Sequence, residues 1–110
     1  MDIILQSNIV GDIIDVDLRK LKKLRRKIAK LRGKPNNVLS RELESIAASL
    51  GREKADRGKE PTWVSRLMPG RNPVSIPNHP GALKRFTAGN ILDQLEEDID
   101  LLEEHLEGGQ

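Results

Sequence analysis

Charge is segregated along this chain, and the segregation coincides with two helical patterns. The segment Arg19–Lys34 contains ten basic residues and no acidic one, whereas Ile91–Glu107 contains eight acidic residues and no lysine or arginine. In both segments leucine and isoleucine recur every three or four positions, which places them on one side of a helix. The sequence therefore predicts a basic and an acidic amphipathic helix, separated by some 60 residues.

Two interpretations of this segregation stay open at the level of sequence. In the first, residues 12–32 form an arm that contacts a polyanion such as RNA, or that joins copies of the chain into a homo-oligomer. In the second, the basic and acidic helices neutralise one another, within one chain or across a dimer. The net charge of only +2 is compatible with both.

Composition narrows the class of protein. A length of 110 residues favours one domain with an appended arm. Because the chain has no cysteine, disulfides, thiolate metal sites and a cysteine nucleophile are excluded. One Phe, one Trp and no Tyr leave Leu, Ile, Val and Ala to build the core. The first residues lack the basic flank and apolar run of a signal peptide, and no stretch is apolar enough to span a membrane, so a cytoplasmic protein is expected.

Three helices are predicted. The first covers residues 12–32 and ends at Gly33 and Pro35, which oppose helix continuation. The second covers residues 40–50, with Ser40 as N-cap and Gly51 just after its end. The third starts at Asn90 and runs to the closing EGGQ. Apolar stripes follow helical spacing in each, and in the first helix the stripe consists of Ile14, Leu18, Leu21, Leu24, Ile28 and Leu31.

Between the second and third helices the pattern changes to that of short strands. REKADRG, TWVSRLM and PVSIP read as three strands, and PGRNP between the last two reads as a turn. Trp63 is expected to lie in the core. The predicted class is α+β: three antiparallel strands with flanking helices, preceded by the basic amphipathic helix. The predicted division is residues 1–37 for the arm and residues 38–110 for the domain.

The order α-β-β-β-α and the block VSIPNHPGALKRFTAGNILDQL resemble the HicA family of bacterial toxins. The resemblance covers roughly residues 38–97, and its strongest part combines a third strand, a Pro-x-His-Pro-Gly turn and a last helix with an early glycine. It implies a fold like that of double-stranded-RNA-binding domains. It also implies a small ribonuclease that cuts messenger RNA until a HicB antitoxin covers it.

The resemblance directs attention to two candidate catalytic residues. Family members carry Gly-Ser-His at the start of the second strand, and that histidine is their presumed catalyst. Here the corresponding residues are Gly58, Lys59 and Glu60. Glu60 is thus a candidate base, with a salt bridge at the start of the strand as the alternative. His79, in the turn, is the second candidate, and bracing of that turn is its alternative role.

Basic residues near the predicted turns are candidates for contacts to RNA phosphates, with dispersed surface cations as the alternative. No metal site is expected, since no histidine pair has ligand spacing, and no cofactor motif is present. His105 is expected on the surface of the acidic helix. The candidate RNA-binding residues are Arg57, Lys59, Arg66, Arg71, Lys84 and Arg85.

Two functions follow as hypotheses. The first is a HicA-like toxin that binds RNA, and cleaves it if catalysis tolerates Glu60, with a HicB-like antitoxin as protein partner. The second is a HicA-like module without catalytic activity that binds RNA or a protein. Replacement of the family histidine by Glu60 favours the second hypothesis, and the IPNHPG turn with its basic surroundings favours the first.

Overall fold

The computed structural model describes residues 16–57 and 60–108 of the chain, with side chains except at residues 56, 57 and 60. The described part is an α+β structure with three helices and one three-stranded antiparallel sheet, as expected from the sequence. Its elements in chain order are α1 (Leu18–Arg32), α2 (Ser40–Ser49), β1 (Arg52–Arg57), β2 (Glu60–Ser65), β3 (Val74–Ser75) and α3 (Arg85–Glu107).

The first helix, α1, begins later than the periodicity predicts. Asp17 has an extended backbone and its carboxylate accepts the N–H of Lys20 at 2.8 Å, so it is the N-cap and the helix starts at Leu18. Residues 12–15 of the predicted helix lie outside the described residues. The predicted end at Gly33 is confirmed, since its N–H bonds to carbonyls of the last turn of α1.

The start of α2 corrects the role expected of Ser40. Leu39, not Ser40, is the N-cap, and the carboxylate of Glu42 accepts the Leu39 N–H at 2.9 Å. Ser40 is the first helical residue, and its hydroxyl bonds to the loop after β3 instead of to its own helix. The tertiary partner outcompetes the local one, because one hydroxyl satisfies two backbone groups of that loop.

Gly51 ends α2 as the sequence predicts, with a φ angle of 86°. A residue with a Cβ is strained in this left-handed conformation, and Gly51 is also buried.

Gly51→Ala should therefore lower the free energy of unfolding by about 1–2 kcal/mol, measured by urea denaturation. Gly89→Ala is the matched control. Gly89 lies inside α3 with open space where a Cβ would stand, so that variant should gain about 0.5–1 kcal/mol. Equal effects of the two substitutions would contradict this account.

The sheet has the order β1-β2-β3, and all neighbouring strands are antiparallel. Arg52 pairs with Ser65, and Trp63 pairs with Val74, on the face that the helices cover. The opposite face carries exposed or half-exposed side chains such as Glu53 and Ser75. The three predicted strands are present, but β2 ends at Ser65, short of the predicted residue 68. Leu67 and Met68 are buried beyond its end.

The third helix, α3, starts at Arg85, five residues before the predicted Asn90. Lys84 is extended and serves as N-cap without a side-chain bond. Gly89 does not interrupt the helix, because Ala88 beside it is buried against the core and holds that turn in place.

One continuous apolar core joins the three helices and β3, whereas β1 contributes no described side chain to it. Leu21, Leu24, Ile28 and Leu31 of α1 are buried, and α1 packs along α3. The prediction of a boundary at residue 37 is not tested by this arrangement, but α1 shares the core of the residues that follow. The largest fully buried side chains are Leu21, Ile28, Leu43, Leu50, Met68, Ile76, Leu92, Leu95, Ile99, Leu102, Val38 and Val74. Trp63 packs against this cluster while partly buried.

Candidate nucleic-acid interface

The backbone brings the two candidate catalytic positions to the same end of the sheet. Pro61, next to Glu60, accepts the N–H of Ile76 through its carbonyl oxygen at 3.2 Å. Ile76 is three residues before His79, so the start of β2 lies beside the turn that contains the histidine. Arg57 faces Glu60 as backbone partner at the end of the β1–β2 hairpin. The side chains of Arg57 and Glu60, and all of Lys59, lie outside the described part of the chain.

The His79 turn is braced on both sides. The Ser40 hydroxyl donates to the carbonyl oxygen of Pro77 at 2.6 Å and accepts the N–H of His79 at 3.2 Å. His79 Nδ1 lies 3.1 Å from both the N–H and the carbonyl oxygen of Gly81, so either ring tautomer has a partner there. Leu83 donates its N–H to the carbonyl oxygen of Val38 at 2.8 Å. These bonds give His79 a role in shaping the turn, while its imidazole remains exposed.

Three consecutive side chains at the start of α3 form an exposed basic and aromatic cluster. Lys84 and Arg85 are exposed, and neither has an ion-pair partner among the described residues. Phe86 is 79% exposed and is the one large hydrophobic side chain on the described surface with such exposure. We call Lys84, Arg85 and Phe86 the α3-start cluster. Sequence analysis missed Phe86 because the helix was predicted to begin after it, although the consecutive letters KRF were a usable signal.

The other two candidate cations with described side chains, Arg66 and Arg71, are engaged in ion pairs. Arg66 contacts Glu53 at 2.8 Å on the open face of the sheet, where both side chains stay at least half exposed. Arg71 is only 14% exposed and contacts Glu97 at 2.8 Å and Asp98 at 3.0 Å. Burial opposes the charge of Arg71, but these two carboxylates outweigh it and raise the pKa of the guanidinium. Arg71 thus differs from the exposed phosphate contact expected for it and ties its loop to α3.

A second arginine, Arg52, is buried close to Arg71 and was not among the candidates from the sequence. Arg52 and Asp98 have side chains that are 0% exposed, and they form a bidentate pair at 2.7 and 3.0 Å. The remaining guanidinium nitrogen of Arg52 donates to the carbonyl oxygens of Trp63 and Asn72. With Arg71 on the other side of Asp98, this cluster is satisfied internally and serves structure rather than binding.

The basic and acidic helices do neutralise each other within one chain, on one side of α1. Arg25 contacts Glu96, Asp100 and Glu103 at 2.7–3.3 Å. Hydrogen bonds to Asp100 and Glu103 raise the pKa of the Arg25 guanidinium. Two helical turns further on, Arg32 contacts Asp93 and Glu96 of α3 at 2.8 and 2.7 Å. The intramolecular form of the neutralisation interpretation is therefore confirmed for these two arginines.

Other kinds of site find little support among residues 16–57 and 60–108. No three His, Asp or Glu side chains there converge as metal ligands. No helix in the same residues is long and apolar enough to cross a membrane. His105 is exposed on α3, as expected. Trp63 buries its indole Nε1 without a hydrogen-bond partner and packs against the core.

Comparison with known proteins gives no relative that could assign the site by similarity. The chain matches no protein-family model, no curated protein and no solved structure. The geometry of the sheet end and of the α3-start cluster is therefore the basis for any functional conclusion.

Proposed function

We propose that this protein is a HicA-like RNA-binding component of a toxin–antitoxin pair, with a fold of the double-stranded-RNA-binding-domain type. RNA binds at the sheet end that carries the His79 turn and the α3-start cluster, and a HicB-like antitoxin covers the same surface. The observation that carries the proposal is Phe86, exposed next to Lys84 and Arg85 at the start of α3 and a few residues from the braced turn.

The chemistry of the α3-start cluster suits single-stranded RNA. An exposed aromatic ring stacks on an unpaired base, and such stacking contributes about 1–3 kcal/mol per base. Lys84 and Arg85 supply charge for the neighbouring phosphates, and both remain unpaired within the described residues. A base stacked on Phe86 would also remove its exposed apolar ring from water.

Cleavage is the second candidate function. It is favoured by one observation: the start of β2, where Glu60 lies, and the His79 turn occupy the same end of the sheet. Cleavage of RNA without a metal needs a base for the 2′-hydroxyl and an acid for the leaving oxygen, and a Glu–His pair supplies both. The bonds that brace His79 support binding without cleavage, because they give the ring a structural task.

Fluorescence anisotropy with a labelled 20-nucleotide single-stranded RNA tests the binding proposal. Phe86→Ala should weaken binding by about 5-fold to 150-fold, the range that the loss of one stacked base predicts. Phe86→Trp is the matched control, and it should bind like the unmodified protein because it keeps an aromatic face. Since Phe86 is exposed, neither variant should lose stability. Absence of RNA binding by the unmodified protein, or equal binding by Phe86→Ala, would overturn the proposal.

The same RNA, followed by gel electrophoresis, distinguishes binding from cleavage. Cleavage that disappears in both Glu60→Gln and His79→Ala, while anisotropy still reports binding, would establish the enzyme. Intact RNA after incubation with the unmodified protein, together with growth unaffected by its expression, would leave the binding function alone.

A further inference from the structure

A groove between α1 and α2 carries a row of lysines on its α1 side. Two adjoining hollows, with volumes of about 610 and 410 Å³, share Lys27 and together run along the helix. Arg41 of α2 lines the larger hollow, and Asp17 and Arg19 line the smaller one. We call this feature the lysine groove, after the five lysines that line it: Lys20, Lys23, Lys27, Lys30 and Lys34.

The positive charge of the lysine groove is largely uncompensated. Of its five lysines only Lys34 forms an ion pair within residues 16–57 and 60–108, with Glu42 at 3.1 Å. Burial raises the pKa of Glu42, but the Leu39 N–H and Lys34 outweigh burial, so the pKa lies below its ordinary value and the carboxylate stays with Lys34. Arg25 and Arg32, on the other side of α1, are neutralised by α3. The lysine groove therefore keeps a net positive charge, whereas the α1 arginines that contact α3 are neutralised.

The spacing of the lysines suits a polymeric anion. Steps of three or four residues along a helix place successive side chains about 4.5–6 Å apart, and Lys20 and Lys30 are separated by about 15 Å along the axis. A compact anion would engage one or two of these ammonium groups, whereas a chain of phosphates can follow all of them. The groove floor is apolar at Leu31 and Ile46, a surface on which lysine stems can pack while their ammonium groups stay in water.

We infer that the lysine groove binds the phosphodiester backbone of the RNA, as a second contact separate from the α3-start cluster. This inference rests on the proposed RNA-binding function and extends it: the bases are read at the sheet end, and the strand continues along α1. Lysine suits this task, because a flexible ammonium group contacts phosphates without selecting a base. The contact is electrostatic, so it must weaken with salt in proportion to the number of phosphates neutralised.

Two pairs of substitutions on α1 provide a matched test. Lys23→Gln with Lys27→Gln removes two charges from the groove. Lys22→Gln with Arg26→Gln removes two charges, at the same spacing, from exposed positions that do not line it. Binding of the labelled 20-nucleotide RNA is measured by anisotropy between 50 and 200 mM salt. The groove pair should reduce the slope of log K against log salt by about 1.4, and weaken binding about 20-fold at 0.1 M salt. The control pair should leave the slope unchanged.

Each outcome distinguishes this inference from the proposed function. Equal slopes for the two pairs, with Phe86→Ala still weakening binding, would overturn the groove inference and leave the proposed function standing. A reduced slope for the groove pair with no effect of Phe86→Ala would support the groove and overturn the α3-start cluster. The groove pair could instead change the sedimentation mass of the protein and leave the slope unchanged. That result would identify the groove as an interface between copies of this chain, and it would overturn the inference.

Discussion

Asp98→Asn should lower the free energy of unfolding by about 3–5 kcal/mol, the largest effect expected of any single substitution outside the apolar core. The substitution preserves size, so it creates no cavity. It leaves the guanidinium of Arg52 0% exposed and without a counter-charge, and it removes one of the two carboxylates that hold Arg71. Chemical denaturation followed by circular dichroism measures the loss.

Glu97→Gln is the matched control for this prediction. Glu97 is the neighbour of Asp98 and contacts the same Arg71, but its side chain is 63% exposed. An exposed pair contributes about 0–1 kcal/mol, so the control should be nearly as stable as the unmodified protein. A cost for Asp98→Asn that is no larger than that of the control would show that the buried pair does not hold α3 on the sheet.

Apolar replacement of the Arg52–Asp98 pair provides a second test of the effect of a buried unpaired charge. Replacing the pair together, Arg52→Met with Asp98→Leu, removes both charges and keeps the volume roughly constant. The double variant should be more stable than Asp98→Asn, because no unpaired charge remains buried. In the double variant the carbonyl oxygens of Trp63 and Asn72 lose Arg52 as their donor. The free energy of unfolding should therefore not recover fully.

Ile28→Ala should lower the free energy of unfolding by about 2–5 kcal/mol, in one cooperative transition of the whole structure. Ile28 is fully buried in α1, and α1 packs on α3 within the common core. Truncation therefore removes contacts that the rest of the core depends on. Urea denaturation monitored by circular dichroism and by the fluorescence of Trp63, which lies in β2 and packs against this core, should give coincident curves.

Lys22→Ala is the control, since it changes an exposed residue of the same helix and should shift stability by no more than about 0.5 kcal/mol. A separate early transition seen by circular dichroism, with the Trp63 signal unchanged, would contradict the prediction. It would show that α1 melts alone, as an arm attached to an independent domain would.

Local chemistry accounts for the parts of the fold that the sequence predicted well. The lysine and leucine spacing of α1 and the stops at Gly33 and Gly51 all act within one or two helical turns. The strands could also be predicted locally, because turn residues flank each of them. The α+β class followed from the order of these elements.

The misplaced boundaries have a tertiary cause. Asn90 has the side chain of a good N-cap, yet α3 begins at Arg85, because burial of Ala88 stabilises the earlier turn. Ser40 likewise has a capping side chain, but the loop of Pro77 and His79 takes its hydroxyl. In each case a contact from a distant part of the chain outweighed a local preference of about 1 kcal/mol.

The residues of the candidate site also divide into those that the sequence could locate and those that it could not. The IPNHPG turn could be found in the sequence, because its residues are adjacent, and the position of His79 within it followed directly. Phe86 was missed because α3 was predicted to begin at Asn90, which left Phe86 outside the predicted helix. Arg71 could not be separated from the free cations, because its partners lie 26 and 27 residues away.

By itself, the sequence determined two amphipathic helices of opposite charge and, between them in chain order, a short antiparallel sheet, since periodicity and turn residues act locally. Only the tertiary structure decided which charges meet. It paired Arg52 with Asp98 across 46 residues and Arg25 with α3, and it left four of the five groove lysines without an ion pair among the described residues. The physical reason is that a helical period specifies which side of a helix is apolar, whereas the partner of each charge depends on which elements the common core brings together.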